Sequence, residues 1–101
     1  MNRFPVRKVA VLGAGNLGLA LADYPGFRRE GFEIVALFDS ADAKIGDESR
    51  SGVPIHDIKE LKKVLRRERV DIVVLAVPAE SAQHVLDQVA GSGVKAVLNF
   101  S

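Results

Sequence analysis

The segment Val11-Leu12-Gly13-Ala14-Gly15-Asn16-Leu17-Gly18 decides the fold of this 101-residue chain. It follows a short apolar run and opens a stretch with helical spacing, and its three glycines match the G-x-G-x-x-G pattern of dinucleotide-binding turns. Gly13 permits the tight turn, Gly15 lets the backbone approach a pyrophosphate, and Gly18 lets the helix pack closely on the strands. Glycines also mark ordinary turns, so this pattern alone does not establish a nucleotide site.

Four short apolar runs, at residues 8–12, 32–38, 71–77 and 95–98, indicate strands. Each run is nearly continuous rather than alternating, which is typical of parallel strands covered on both faces. A shorter fifth strand is predicted at residues 53–55, at a sheet edge where Pro54 is tolerated. Segments with helical spacing lie between the runs, including residues 79–90. Right-handed crossovers then predict an α/β, Rossmann-like, doubly wound parallel sheet in the order 3-2-1-4-5, in three layers.

Composition indicates one cytoplasmic domain. Fourteen basic and 13 acidic residues give a net charge of +1, which argues against nucleic-acid binding driven by the overall field. The chain has no cysteine, so thiolate metal sites and disulfides are excluded. No apolar stretch reaches the roughly 20 residues of a membrane span, and residues 1–5 contain no signal-peptide core. Because nothing after Phe100 would cover the last strand, we expect this domain of residues 1–101 to be cut from a longer chain.

Asp39 is the second signal for a dinucleotide. It ends the second predicted strand, 21 residues after Gly18, where an acidic side chain can accept hydrogen bonds from the adenosine ribose hydroxyls. Its charge would repel a 2′-phosphate, so the sequence predicts NAD(H) rather than NADP(H). The alternative is that Asp39 only caps the turn at residues 40–44.

Further candidates follow the fourth and fifth strands, whose carboxyl ends border the predicted crevice. Pro78 would free carbonyl groups to face a ligand, or it would simply start the following helix. The Asn99 amide could reach the nicotinamide carboxamide or ribose. Phe100 could pack near the nicotinamide or belong to the core.

Residues suited to catalysis are scarce. His56 and His84 are interpreted as solvent-side residues rather than as proton donors over a nicotinamide. The basic run at residues 62–69 has apolar residues at helical spacing, so we interpret it as a helix with a solvated cationic face. The sequence therefore favours a binding module over an enzyme.

Several segments together carry a family resemblance. They are residues 11–18, the Ala-Leu-Ala-Asp-Tyr-Pro-Gly-Phe segment at 20–27, Gly-Phe at 31–32, Phe-Asp at 38–39, Lys-Ile-Gly at 44–46, Leu-Ala-Val-Pro-Ala-Glu at 75–80, and Leu-Asn-Phe at 98–100. This combination closely resembles the NAD(H)-binding domain of the Rex family, the redox-sensing transcriptional repressors of bacteria. The resemblance covers essentially the whole chain.

The resemblance implies a longer, homodimeric repressor. In that family an N-terminal winged helix binds operator DNA and a C-terminal helix swaps onto the partner subunit. NADH binding releases the DNA, and NAD⁺ competes more weakly. Both of those elements are missing from this sequence, so we expect weaker NADH binding and less discrimination between NADH and NAD⁺ here.

The resemblance also assigns residues to the cofactor. It puts Gly13, Gly15 and Gly18 at the pyrophosphate, with Asn16 close to the phosphates. It puts Asp39 at the adenosine ribose, Lys44 and Ile45 beside the adenine, and Val77, Pro78, Asn99 and Phe100 near the nicotinamide. Ala14 and Leu17 belong to the same turn and are also predicted to bind the cofactor. Tyr24 matches a tyrosine that the family uses in switching between its NAD⁺-bound and NADH-bound forms. The residues alone equally allow Tyr24 to be a partly buried ring at a helix end.

Two other functions stay open. The chain could be the cofactor half of an NAD-dependent oxidoreductase whose catalytic domain lies downstream. It could also be a CoA-binding Rossmann domain, which would use the same glycine turn without needing Asp39.

Overall fold

The structure, a computed structural model, describes residues 6–100; the predicted features at residues 1–5 and 101 lie outside that range. The elements are β1 (Arg7–Leu12), α1 (Asn16–Asp23), α2 (Gly26–Arg29), β2 (Phe32–Asp39), β3 (Ile55–Asp57), α3 (Leu61–Arg67), β4 (Ile72–Leu75), α4 (Ala79–Val89) and β5 (Ala96–Asn99). A single 3₁₀ turn, Ile58–Glu60, leads into α3.

All five strands are parallel and follow the order β3-β2-β1-β4-β5, so the predicted doubly wound sheet is confirmed. Leu12 lies opposite Phe38 on one side and Leu75 on the other, and Leu75 lies opposite Asn99. The carboxyl ends of four strands therefore meet at one edge of the sheet. The strand order reverses between β1 and β4, which is where open α/β sheets form their ligand crevice.

Two apolar layers hold the sheet between its helices. On one face, Phe38 and Val73 pack with Leu61 and Leu65 of α3 and with Val85 of α4. On the other face, the core residues are Val9, Val11, Leu37 and Val74, with side chains of α1 such as Leu21 packed against them. Helices on both faces of a parallel sheet make three layers, as the near-continuous apolar runs predicted.

All five strands differ at one or both ends from the predicted bounds, and two of these differences have a clear physical reason. The third strand is Ile55–Asp57 rather than residues 53–55, because Pro54 has no N–H group to give to a ladder. Its carbonyl instead accepts the Leu37 N–H at 2.9 Å, which leads the chain into the strand. The fourth strand ends at Leu75 rather than at residue 77, because the chain turns there toward α4. The four-residue helix α2 was not predicted.

The last strand is exposed, as expected for a strand that nothing covers, although its continuous apolar run is typical of strands covered on both faces. All four residues of β5 are exposed, with Leu98 at 47%. Within residues 6–100, β4 is the element against which β5 packs. No helix in that same range is long and apolar enough to cross a membrane.

Candidate functional site

The glycine turn lies at the carboxyl edge of the sheet, between β1 and α1. The Gly13 N–H donates to the Phe38 carbonyl at 2.7 Å, and Gly13 adopts a φ of +108°. A Cβ atom at this residue would lie 2.6 Å from the carbonyl oxygen of Ala76. The turn is thus packed between the end of β2 and the segment that follows β4, and only glycine fits at its first position.

The other two glycines differ from each other in their surroundings. A Cβ at Gly18 would fall on the carbonyl oxygen of Gly13, so α1 packs directly against the turn. At Gly15 no protein atom lies within 4 Å of the corresponding position. The geometry agrees with the predicted reasons for Gly13 and Gly18. The open space at Gly15 is suited to a ligand group, and contact with a pyrophosphate stays a prediction.

The first turn of α1 supplies donors at this place. Gly15 precedes the helix, and the first helical hydrogen bond runs from the Leu19 N–H to the Gly15 carbonyl at 3.0 Å. The N–H groups at residues 16–18 have no partner within a helix of this geometry. The Asn16 and Leu17 side chains beside them are exposed. N–H groups at the positive end of a helix favour a bound phosphate.

Asp39 is bonded to the glycine turn. Its Oδ2 accepts the Ala14 N–H at 2.9 Å, and its Oδ1 accepts the Ala41 N–H at 2.9 Å. Asp39 thus caps the turn that follows it and also contacts the glycine turn, so it does more than cap, and its contact with a ribose stays a prediction. Because a carboxylate has about four acceptor positions and the Ser40 N–H also contacts it, Asp39 retains at least one for a ribose hydroxyl. The residues present therefore fit the adenosine end of a dinucleotide.

Asp39 is ionised at neutral pH. Partial burial works to raise its pKa, but hydrogen bonds from the Ala41, Ala14 and Ser40 N–H groups, with the charge of Lys44, outweigh burial and lower the pKa below the usual value. Hydrogen bonds to a carboxylate favour its charged form. The negative charge that would repel a 2′-phosphate is therefore present on Asp39.

Lys44 makes a contact that the sequence analysis missed. It lies in the connection between β2 and β3, and its Nζ donates to the Ala14 carbonyl oxygen at 3.0 Å. Asp39 and Lys44 thus bind the two polar backbone groups of one residue in the turn. Thirty positions separate Lys44 from Ala14, and no spacing rule signals such a contact. Ile45, also predicted beside the adenine, is half-buried next to it.

The residues predicted near the nicotinamide are only partly brought together. Val77 lies beside the turn, since its Cγ1 is 3.3 Å from the Cβ position of Gly13. Pro78 is exposed and immediately precedes α4, as expected if its role is to start that helix. Asn99 ends the exposed strand β5.

Phe100 follows β5, and its N–H donates to the Leu75 carbonyl at 2.9 Å. Its half-exposed side chain lines an apolar groove of about 180 Å³ together with Leu21, Val74 and Leu98. The groove runs along the α1 face of the sheet. The structure thus associates Phe100 with that face as well as with the end of the strand.

Tyr24 lies away from the crevice. It caps the carboxyl end of α1, eight residues beyond the first helical residue and so about 12 Å along the axis. Its ring is 56% exposed, packs over Gly26 and meets Phe27 edge-on with centroids 5.0 Å apart. The structure does not bring Tyr24 together with the glycine turn, and its switching role stays a prediction.

A hydrogen-bonded cluster at Asp23 was also missed. The Asp23 carboxylate accepts the Ser51 hydroxyl at 2.6 Å and the Ser51 N–H at 3.0 Å. The hydrogen bonds, first of all that from the Ser51 hydroxyl, lower the Asp23 pKa from 3.8 to about 2. The cluster ties the end of α1 to the loop before β3.

The two histidines differ in exposure, since His84 is on the solvent side as interpreted and His56 is not. His56 is half-buried beside Phe38, and burial, followed by the charge of Arg67, lowers its pKa. His84 is exposed on α4 and pairs with Gln88 at 3.0 Å. In the part of the chain that the structure describes, no three His, Cys, Asp or Glu residues are grouped to hold a metal ion.

Comparisons with known proteins identify the family and the relatives of this chain. The CoA binding domain family matches residues 6–101. The chain is 43% identical over 94 residues to the redox-sensing transcriptional repressor Rex 1 of Thermotoga maritima, an alignment that covers 93% of this chain and 45% of the relative. The chain therefore spans less than half the length of this relative.

Two solved structures extend the likeness to the backbone. RSP, a Rex-family repressor, in complex with β-NADH has a TM-score of 0.89 at 32% identity, covering 96% of this chain and 47% of that one. Its complex with β-NAD⁺ and operator DNA also has a TM-score of 0.89, covering 95% and 44%. The resemblance to Rex repressors that the sequence indicated is confirmed, and the chain belongs to the CoA binding domain family.

Proposed function

We propose that this chain is the NAD(H)-binding, redox-sensing domain of a Rex-type transcriptional repressor. The observation that carries the proposal is the ionised Asp39 carboxylate bonded to Ala14 at a glycine turn, in a chain whose relatives are redox-sensing repressors. In the full-length protein, NADH binding would release operator DNA held by a winged-helix domain. The protein would act in the cytoplasm as a homodimer completed by a swapped helix.

The adenosine and phosphate groups of the cofactor would be held by the backbone and one side chain. The N–H groups that open α1 would bind the pyrophosphate, in the open space at Gly15. The remaining acceptor capacity of Asp39 would take a ribose hydroxyl. Lys44 and Ile45 would border the adenine.

The nicotinamide end would distinguish the two redox states by charge. Reduced nicotinamide is neutral and the oxidised ring carries a positive charge, so apolar surroundings favour NADH. Val77 and Phe100 would provide those surroundings. Because Phe100 is 49% exposed and β5 is exposed throughout, we expect the domain alone to discriminate less than a full-length dimer.

The direct test is calorimetric titration of the protein with NADH, NAD⁺, NADPH and CoA. We expect NADH to bind more tightly than NAD⁺ by a modest factor, and NADPH to bind more weakly than NADH. Asp39→Asn should weaken NADH binding, while the matched control Asp87→Asn, on the exposed face of α4, should not. NADPH binding as tight as NADH binding would contradict the role given to Asp39.

CoA is the second candidate ligand, because the family that matches residues 6–101 is described as a CoA binding domain. Tighter binding of CoA than of NADH, unaffected by Asp39→Asn, would favour that function. Turnover of NADH with added carbonyl compounds would instead favour an oxidoreductase. We expect NADH binding without turnover.

A further inference from the structure

Lys44 and Asp39 carry opposite charges and bind the same residue, Ala14, of the glycine turn. The Lys44 Nζ binds the carbonyl of Ala14 at 3.0 Å, and Asp39 binds the N–H of the same residue at 2.9 Å. The ammonium and carboxylate groups therefore flank the same residue of the glycine turn. Consistent with this, the charge of Lys44 contributes to the low pKa of Asp39.

The two charges have opposite effects on a phosphate attached to the ribose. A phosphate monoester carries a charge of about −1.5 to −2 at neutral pH, and it is repelled by a carboxylate and attracted by an ammonium group. Lys44 is half-buried and held by one hydrogen bond to a neutral carbonyl, which an anionic oxygen would replace favourably. Its four-carbon stem lets the ammonium group turn toward such an oxygen without movement of the backbone.

We propose that Lys44 is a specificity-determining residue of this site, a cation placed to bind the 2′-phosphate of NADP(H), and that Asp39 is what keeps the site selective for NAD(H). This inference rests on the proposed function, because it needs the ribose to lie at Asp39. It differs from the usual role of the acidic residue alone. Selectivity here depends on a pair of opposite charges, and removal of the carboxylate alone shifts it toward NADP(H).

The experiment is fluorescence titration of wild type, Asp39→Asn, Lys44→Met and the double variant with NADH and with NADPH. Asparagine keeps the oxygen that can accept the Ala14 N–H, so the turn keeps its support. We expect Asp39→Asn to raise the ratio of NADPH affinity to NADH affinity by about tenfold or more, since a repulsive unit charge a few ångströms away is removed. Asp39→Ser serves as a second variant that, like Asp39→Asn, removes the negative charge. Circular dichroism checks that each variant is folded.

Lys44 decides the outcome of this experiment. In the Asp39→Asn background, Lys44→Met should remove most of the gain for NADPH, whereas Lys62→Met, an equal charge change at an exposed position of α3, should leave it. Lys44→Met alone should lower the relative NADPH affinity further. If the gain survives Lys44→Met, the inference about Lys44 is wrong while the proposed function stands. If wild type binds neither dinucleotide, the proposed function itself fails.

Discussion

Replacing Gly13 by alanine should strongly destabilise the protein. Gly13 has a φ of +108°, a conformation that side-chain-bearing residues rarely adopt. The new Cβ would also lie 2.6 Å from the Ala76 carbonyl oxygen and 3.1 Å from its carbonyl carbon. Those atoms are backbone, and the Ala76 N–H is itself bonded to Leu12 at 2.8 Å, so they cannot move aside without breaking the sheet edge.

The magnitude follows from two separate contributions. A residue with a side chain held in a disfavoured backbone region costs about 1–3 kcal/mol. Forcing a methyl group into a packed position costs about 1–3 kcal/mol more. We therefore expect Gly13→Ala to lower the free energy of unfolding by about 2–6 kcal/mol, a large part of the roughly 5–15 kcal/mol typical of a domain. For a domain of this size, that corresponds to a fall in Tm of about 10–30 °C.

Urea unfolding followed by circular dichroism measures the effect, and Gly15→Ala is the matched control. Gly15 has a φ of −78°, and a Cβ there meets no protein atom within 4 Å. Alanine fits this conformation and restricts the unfolded chain, so the control should be unchanged or more stable by about 0.4–1 kcal/mol. Equal stability of the two variants would refute the reasoning, because it would mean that the turn does not have the packing described.

Three more predictions follow from particular contacts. Gly15→Ala should weaken NADH binding at least tenfold in calorimetry without loss of stability, because its methyl group would occupy the space of a phosphate; unchanged affinity would contradict the placement. Asp23 has a lower pKa in the folded state, about 2, than the ordinary 3.8, so it stabilises the fold above pH 3.8 and loses that contribution as the pH falls toward 2. The Tm difference between wild type and Asp23→Asn should vanish over that interval, and a constant difference would exclude the Ser51 hydrogen bonds as its cause. Leu65→Ala, at a fully buried residue, should cost about 2–5 kcal/mol in urea unfolding, whereas Leu17→Ala, 45% exposed, should cost about 0.5 kcal/mol or less.

The order of the sheet could be predicted because local sequence carries it. Continuous runs of valine, isoleucine and alanine are characteristic of strands buried on both faces, and the helical segments between them impose parallel crossovers. The glycine turn and Asp39 could also be found, since both lie at strand ends whose position the topology determines. These features are predictable because they depend on patterns among neighbouring residues and on the handedness of crossovers.

The contacts that could not be predicted join residues far apart in the chain. Lys44 and Ala14 are 30 positions apart, and Asp23 and Ser51 are 28 apart. Loop side chains reach such partners only through the final packing, for which periodicity contains no signal. The apolar run of β5 shows a related limit, because such a run indicates only that a strand can be covered, whereas its exposure depends on what packs against it.

The position of β1 in the sheet has a consequence for local unfolding. β1 is hydrogen-bonded to strands on both sides, whereas β5 has one described neighbour and four exposed residues. Amide hydrogens of β1 should therefore exchange only in global unfolding, and those of β5 in smaller openings of much lower free energy. Gly13 follows β1, at the centre of the sheet, and Asn99 ends β5, at its edge. The part of the site proposed for the adenosine and phosphates therefore follows a strand that we expect to resist local unfolding. The part proposed to sense redox state follows a strand that we expect to unfold locally at lower free energy.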